Sequence, residues 1–191
     1  MRKIILASAS PRRRELLATL GLQFEVTPAN VTETTDTTDT PQELAKALSR
    51  QKAQAVARHN KNALIIAADT FILFRGKIMG KPDSDAAAYR MLQALSGKSH
   101  TVITGYTIID TASGKTISRA IETRVYLKAL TPAEIANYVK SGEPRDKAGG
   151  YAIQGRGAAI VKKISGDYSN VVGLPLSALV EDLKAFDIYV L

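Results

Sequence analysis

The chain has 191 residues, of which 45% are hydrophobic, enough to bury a core in one large domain or in two closely joined lobes. It contains no cysteine, which excludes a disulfide framework, a thiol nucleophile and a thiolate metal site. The net charge of +8 favours a negatively charged partner, but the basic residues are scattered and aromatic residues make up only 6%, so a small polyanion is favoured over nucleic acid.

The first six residues are basic and then apolar. This apolar run is too short for a signal peptide and stops before Pro11. No stretch approaches the roughly 20 apolar residues of a membrane span. We therefore expect a cytoplasmic protein without a membrane partner.

Apolar runs and helical spacings alternate along the chain. The apolar runs predict strands at 3–7, 24–27, 63–69, 71–74, 77–79, 99–110, 115–127 and 158–164. The helical spacings predict helices at 11–20, 41–59, 83–95, 132–140 and 176–186. Loops are expected at 29–40, 142–157 and 166–173. Because strands and helices alternate around an antiparallel-looking pair at 99–127, we predict an α/β fold with a mixed sheet.

Three of the predicted helices begin with a hydroxyl residue followed by proline, a typical helix start. Thr40 and Thr131 precede a glutamate that can complete a capping box, whereas Ser10 precedes Pro11 and three arginines. A cation at this end opposes the helix dipole by a few tenths of a kcal/mol up to ~1 kcal/mol. We infer that a strongly negative group, such as a polyphosphate, binds at this helix start.

The residues around this helix start divide by position. Ser8 and Ser10 can form an anion cradle together with the neighbouring backbone N–H groups, although Ser10 also serves as an ordinary cap. Arg12 and Arg13 lie closest to the unpaired N–H groups, and Arg14 is expected to face solvent because successive helical residues turn by about 100°.

Further along, three residues stand where a ligand could bind. Asp69 follows a buried run at the carboxyl end of a strand, where a carboxylate can bind a metal or act as a base, although a plain turn aspartate is equally common. Thr70 can donate to a substrate or simply favour the strand. Lys81, between Gly80 and Pro82, can neutralise a phosphate or be a solvated turn residue.

The glycine-rich segment 142–157 mixes charges in a way that is typical of a surface loop, which is how we interpret Glu143, Asp146 and Lys147. Gln154 can read a base edge because its amide both donates and accepts hydrogen bonds. The two histidines stand apart from each other, and neither is assigned a role.

Taken together, a basic helix start, a strand-end aspartate and turn lysines are what hydrolysis of a nucleoside triphosphate needs. Cations and a metal offset the phosphate charge, and a carboxylate orients water or holds the metal.

Several short motifs occur in order from Leu6 to Leu176: LASASPRR at 6–13, AADT at 67–70, GKP at 80–82, LSG at 95–97, GEP at 142–144, DKAG at 146–149, IQG at 153–155 and VGLPL at 172–176. In this order they resemble the Maf-like nucleotide pyrophosphatases over nearly the whole chain. The resemblance implies a single α/β domain over residues 1–191, with two lobes around a cleft and no separable linker. It also implies an elongated mixed sheet with flanking helices, like that of inosine triphosphate pyrophosphatases.

The resemblance further implies hydrolysis of a nucleoside triphosphate to a monophosphate and pyrophosphate, with Mg²⁺ or Mn²⁺ as cofactor. By position, Asp69 corresponds to the proton acceptor that activates water. Positions that bind substrate and its phosphates correspond to Ser8, Arg13, Lys52 and Lys81. The metal positions correspond to Glu33 and Asp69.

The family has branches that act on different bases. The branch acting on dTTP and UTP has Arg, Thr and Gln at its specificity positions, as this chain has in Arg12, Thr70 and Gln154. The branch acting on 7-methyl-GTP has Trp, Gln and Glu there instead. The chemistry agrees, since an amide can pair with a uracil or thymine edge, whereas a carboxylate suits a purine N–H edge.

The leading hypothesis is a housecleaning pyrophosphatase for dTTP and UTP, with CTP and modified pyrimidine nucleotides as further candidates and a homodimer as the family expectation. The alternative is a nucleotide-binding regulator of cell division, since the family is also described as septum-formation inhibitors. Asp69 with its lysines favours the enzyme, because a pure binder needs no base. A nucleic-acid binder rests on charge alone and predicts strongly salt-dependent binding.

Overall fold

The structure is a computed structural model that describes residues 2–31 and 40–190. Its strands are β1 (Lys3–Leu6), β2 (Glu25–Val26), β3 (Ala63–Phe74), β4 (Lys77–Met79), β5 (Ser99–Asp110), β6 (Thr116–Leu127) and β7 (Val161–Ser165). Its helices are α1 (Pro11–Ala18), α2 (Pro41–Ala57), α3 (Asp85–Leu95), α4 (Pro132–Lys140), α5 (Tyr168–Val172) and α6 (Leu176–Leu183). None of the helices in the described ranges is long and apolar enough to cross a membrane.

The seven described strands form one sheet in the order β2-β1-β3-β5-β6-β7, and β4 pairs with β3. β1 runs parallel to both of its neighbours, with Leu6 opposite Val26 on one side and Ile66 on the other. β4 is antiparallel to β3, and β7 is antiparallel to β6. The predicted mixed sheet with flanking helices is therefore confirmed.

Two predictions about local structure are wrong. Residues 63–74 form one continuous strand and not two short ones. The segment 166–173, expected to be a loop, contains the short helix α5, whose start is held by Asp167: its carboxylate accepts hydrogen bonds from the backbone N–H of Ser169 at 2.7 Å and from the Ser169 hydroxyl at 2.6 Å.

The chain divides into two compact units. The first comprises residues 1–69, 104–121 and 173–191, and the second comprises residues 70–103 and 122–172.

In the first unit, β1 and β3 are buried on both faces, as is typical of parallel strands. Alternate residues, such as Leu6 and Ile66, point to a cluster that also contains Leu17 of α1 and Leu179 of α6. The intervening residues point to a second cluster with α2, whose buried members are Ile5, Ala7, Ala53, Val56, Ala63, Ile65, Ala67 and Ile109. This strict alternation explains why these strands read as continuous apolar runs in the sequence.

In the second unit, α3 and α4 pack against the strands around one cluster. Its buried members are Ile72, Ala88, Leu92, Leu95, Val102, Val125, Leu127, Ile135, Tyr138, Val139, Tyr151 and Ile160. α4 begins with the complete capping box predicted at Thr131, because the Glu134 carboxylate accepts from the Thr131 N–H while the Thr131 hydroxyl accepts from the Glu134 N–H.

Helix α2 lies unusually close to β5 at Gly105. A Cβ at Gly105 would lie 2.0 Å from the carbonyl oxygen of Ala45 and 2.8 Å from the backbone nitrogen of Lys46. The contact is backbone against backbone, so no side chain can move to make room. Only glycine allows α2 to lie at this distance from the sheet.

We expect Gly105→Ala to lower the free energy of unfolding by at least ~2 kcal/mol, because overpacking against rigid backbone costs about this much or more. Urea-induced unfolding measures the change. Gly80→Ala is the control, since a Cβ there would meet nothing within 4 Å and Gly80 has no positive φ. Equal stability of the two variants would contradict this reading of the α2 contact.

Candidate active site

The candidate site of the first unit begins where β1 and β3 end their parallel pairing. Leu6 lies opposite Ile66, and the Ala7 N–H donates to the Ile66 carbonyl at 2.7 Å. Just beyond these partners the two strands supply Ser8 and Asp69 at the same end of the sheet. The carboxyl end of β1 is where open α/β sheets bind ligands. Because β3 continues to Phe74, Asp69 lies inside a strand, and its predicted place at a strand end is wrong.

The turn from β1 into α1 is organised by two serine hydroxyls. The Ser8 hydroxyl, which is buried, accepts a hydrogen bond from the Ser10 N–H at 3.2 Å. Ser10 is the N-cap of α1 and accepts from the Arg13 N–H at 3.5 Å. The first turn of α1 contains no acidic residue, so its N–H groups and the neighbouring arginines present positive charge.

Arg13 is fixed from both sides. Its Nε donates to the carbonyl of Gly173 at 2.8 Å, and its Nη1 donates to the Ser8 hydroxyl at 3.4 Å. The guanidinium is thereby held at the helix start in a defined orientation. Arg12 is half-buried, and Arg14 is exposed, which confirms the prediction that Arg14 faces solvent.

Asp69 forms an ion pair with Lys52 of α2. The two side chains are only 14% and 16% exposed, so each charge has lost most of its water and is offset by the other. Lys52 lies one turn after Ser49, whose hydroxyl is 2.8 Å from that of Thr107 on β5. The close seating of α2 on the sheet thus carries Lys52 to Asp69.

In the second unit, the turn before Lys81 is held by backbone contact. The Gly149 N–H donates to the Gly80 carbonyl at 2.9 Å. Gly149 has a φ of +69°, and a Cβ there would lie 2.5 Å from Cδ1 of Ile72. Lys81 itself is exposed, whereas Pro82 after it is buried and anchors the turn.

Gln154 is half-buried and lies in a loop that two tyrosines hold. The hydroxyl of Tyr138 accepts from the Ala152 N–H at 3.1 Å. The hydroxyl of Tyr151 lies 2.6 Å from Nε2 of His100. Both tyrosines are buried, so the loop is attached to the core of its unit.

Burial lowers the pKa of His100 to about 4. Its Nδ1 is buried and has no hydrogen-bond partner in the part of the chain that the structure describes. A proton on this ring would therefore be poorly compensated. His100 is a core hydrogen-bonding residue and not a ligand.

The structure brings some of the predicted site residues together. Ser8 contacts Arg13, and Lys52 contacts Asp69, all in the first unit. Thr70, Lys81 and Gln154 belong to the second unit. Glu33 lies outside the described residues, so its predicted metal-binding role remains a prediction.

Three residues make contacts that the sequence pattern does not predict. Glu143 was interpreted as part of a surface loop, but it is half-buried, and its carboxylate accepts from the backbone N–H groups of Arg156 and Gly157. Lys147, interpreted in the same way, is only 14% exposed at its side chain. Gly173, which holds Arg13, had no signal beyond its place in the VGLPL motif.

Comparison with known proteins agrees with these motifs. Residues 3–186 match a family model described as "Maf-like protein". A "dTTP/UTP pyrophosphatase" of Bacillus cereus (strain AH820) is 49% identical over 188 residues, which cover 98% of this chain and 97% of that protein. A protein of the same name from Bacillus anthracis shows the same identity and coverage. Among solved structures, the Staphylococcus aureus Ham1 protein aligns with a TM-score of 0.48 and 14% identity, covering 84% of this chain and 80% of that one.

The buried histidine predicts an acid-labile fold. The unfolded chain takes up a proton on His100 near pH 6.5, whereas the folded chain does so only near pH 4. We therefore expect the free energy of unfolding to fall by up to ~3 kcal/mol as the pH drops through this window. Urea-induced unfolding between pH 4 and 7 measures it.

A double variant, His100→Phe with Tyr151→Phe, removes the titrating ring and its partner hydroxyl together. We expect a flatter acid dependence in this variant and an unchanged one in His59→Asn, the matched control at an exposed histidine. An equally steep loss in the double variant would show that other groups account for the acid lability.

Proposed function

Because the chain belongs to the Maf-like protein family, we propose that it hydrolyses dTTP and UTP to the monophosphate and pyrophosphate, keeping the pyrimidine nucleotide pool clean. Relatives 49% identical over nearly the whole chain are named for this activity. The structural observation that supports it most is the Lys52–Asp69 ion pair just beyond the paired residues of β1 and β3, at the same end of this strand pair as a helix start rich in arginine.

In this proposal the phosphates are bound by the cations of the first unit. Arg13 is already oriented by the Gly173 carbonyl and the Ser8 hydroxyl, so little conformational entropy is lost when it binds an anion. The N–H groups at the start of α1 add their dipole. Lys81 of the second unit supplies a further exposed ammonium.

Asp69 is the proposed proton acceptor. In the absence of substrate its charge is offset by Lys52. When a polyphosphate binds, Lys52 can turn to the phosphate oxygens, and Asp69 can then accept a proton from water. The water oxygen attacks the α-phosphorus, the bond to the bridging oxygen breaks, and pyrophosphate leaves.

As far as the described residues go, a divalent metal fits this site as an ion shared with the substrate. The described residues contain no group of three side chains that could hold a metal by themselves. Mg²⁺ commonly binds through one or two carboxylates together with substrate phosphates and water, which agrees with a single described carboxylate at Asp69. The ion would offset phosphate charge, and Asp69, with Glu33 as the second proposed ligand, would hold it.

In this proposal, Arg12, Thr70 and Gln154 recognise the nucleobase. The Gln154 amide can donate to a carbonyl of uracil or thymine while accepting from the adjacent ring N–H. Guanine differs in presenting two adjacent donors, its N1–H and 2-amino groups, and an amide that faces both would have its own N–H groups left without an acceptor. Such an unpaired buried group is costly, so the amide favours pyrimidines.

The activity is tested with a panel of nucleoside triphosphates, each assayed for pyrophosphate with Mg²⁺ or Mn²⁺. We expect turnover of dTTP and UTP, and a fall of at least ~100-fold in kcat for Asp69→Asn, because a positioned base contributes this much. Asp187→Asn is the matched control: Asp187 is exposed with a φ of +61°, which asparagine tolerates. Release of orthophosphate, or full activity in Asp69→Asn, would refute the mechanism.

Selectivity is tested by the double variant Gln154→Glu with Thr70→Gln. A carboxylate cannot donate to the pyrimidine carbonyl, so we expect kcat/KM for dTTP to fall about tenfold or more. Gln54→Glu, at an exposed glutamine on α2, is the control and should keep wild-type selectivity. If the double variant discriminates between bases as the wild type does, the specificity residues lie elsewhere.

A further inference from the structure

We propose that Glu143 is a positioning residue, which holds the loop 152–157 in the shape that presents Gln154 to the base. The inference rests on the proposed function in one respect, namely that Gln154 reads the base. The contacts that support it, those of Glu143 and Tyr138 with the loop, all lie within the second unit.

The Glu143 carboxylate binds two consecutive backbone donors just after Gln154. Its Oε2 accepts from the Arg156 N–H at 3.1 Å, and its Oε1 accepts from the Gly157 N–H at 3.5 Å. These two N–H groups open the short 3-10 helix Gly155–Ala159, where backbone donors have no partner within the helix. Glu143 thus caps this helix from 13 residues away in the sequence.

This capping changes what Gln154 can do. Gln154 occupies the N-cap position, with extended backbone at φ −101° and ψ 174°. A short polar side chain at an N-cap, such as that of Ser, Thr, Asp or Asn, ordinarily binds the first N–H groups of its own helix. Among the described contacts the Gln154 side chain makes no such bond, and the Glu143 carboxylate accepts from the Arg156 and Gly157 N–H groups instead. The amide of Gln154 is thereby available for a ligand.

The loop is also closed at its base. A Cβ at Gly157 would lie 2.0 Å from the Ala152 carbonyl and 2.7 Å from the hydroxyl of Tyr138, so the two ends of the loop touch. Gly155 has a φ of +61°, and a Cβ there would lie 2.6 Å from Oε1 of Glu143. Glycine at both positions lets the loop fold tightly around the carboxylate.

The segment that contains Glu143 also holds the turn before Lys81. Glu143 opens a 3-10 helix that ends at Asp146, and Gly149 follows three residues later to bind the Gly80 carbonyl. One segment therefore fixes both the base-reading loop and the lysine turn within the second unit. Loss of Glu143 should loosen the loop without touching the chemistry at Asp69.

The test is a double-mutant cycle on base selectivity. We expect Glu143→Ala to lower the ratio of kcat/KM for dTTP to that for dGTP about tenfold, through KM more than kcat. In a Gln154→Ala background the same change should lower the ratio by no more than about twofold, because the two residues act as one. Independent, multiplying losses, or an unchanged ratio in Glu143→Ala, would overturn the proposal.

Two further variants separate positioning from general damage. Glu143→Gln keeps one acceptor oxygen, so it should give an intermediate ratio even if Glu143→Ala folds poorly. Asp85→Ala is the matched control: it removes an exposed carboxylate that binds Arg145 of the same segment at 3.0 and 3.2 Å but does not contact the loop. An equal shift of the ratio in Asp85→Ala would overturn the specific role of Glu143.

Amide hydrogen exchange without nucleotide separates this proposal from the proposed function. The amides of Arg156 and Gly157 should exchange at least about tenfold faster in Glu143→Ala than in the wild type or in Asp85→Ala. Unchanged exchange would overturn the role of Glu143 whatever the enzyme hydrolyses. If exchange accelerates but the wild type does not turn over pyrimidine triphosphates, the proposed function is wrong. The role of Glu143 in holding the loop then stands, and the role of Gln154 in base recognition does not.

Discussion

The close approach of helix α2 to strand β5 is the constraint on which the first unit depends. Gly105 removes the side chain that would keep the two backbones apart, and Ser49 and Thr107 join their hydroxyls across the contact. One turn further along α2, Lys52 reaches Asp69 as a consequence. If α2 lay farther from the sheet, the Lys52 ammonium and the Asp69 carboxylate would lose each other as partners while remaining mostly buried. An unpaired buried charge destabilises the fold far more than a buried ion pair does.

The two units organise their polar residues differently. In the first unit, Arg13, Lys52 and Asp69 lie on regular helices and a strand, and Ser8 lies in the turn directly after β1. In the second unit, Gln154 lies on an irregular segment. There, side chains such as Glu143 and Tyr138 bind the backbone donors that a sheet or helix would otherwise satisfy. A loop held in this way can have as fixed a conformation as a helix or strand, and its own polar side chains can then bind a ligand.

Much of the local structure could be predicted because its causes are local. Apolar runs, proline after a hydroxyl residue, and glycine after a helix each act within a few residues, and they located most strands and helices to within a few positions. The local pattern does not predict α5. Its first residues depend on Asp167, which binds Ser169 and is itself held by the hydroxyl of Thr123 on β6, 44 residues away in the sequence. Glu143 was misinterpreted for the same reason, since its partners lie 13 and 14 residues away.

The sequence by itself determined the alternation of strands and helices and the arginine-rich start of α1, and its ordered motifs indicated the family. Only the tertiary structure decided which charges meet: that Asp69 pairs with Lys52, that Arg13 is oriented by the Gly173 carbonyl, and that Glu143 caps the helix after Gln154. Local pattern follows from the bonding needs of neighbouring residues, whereas these pairings need the folded backbone to bring groups that are distant in sequence within hydrogen-bond distance while excluding water.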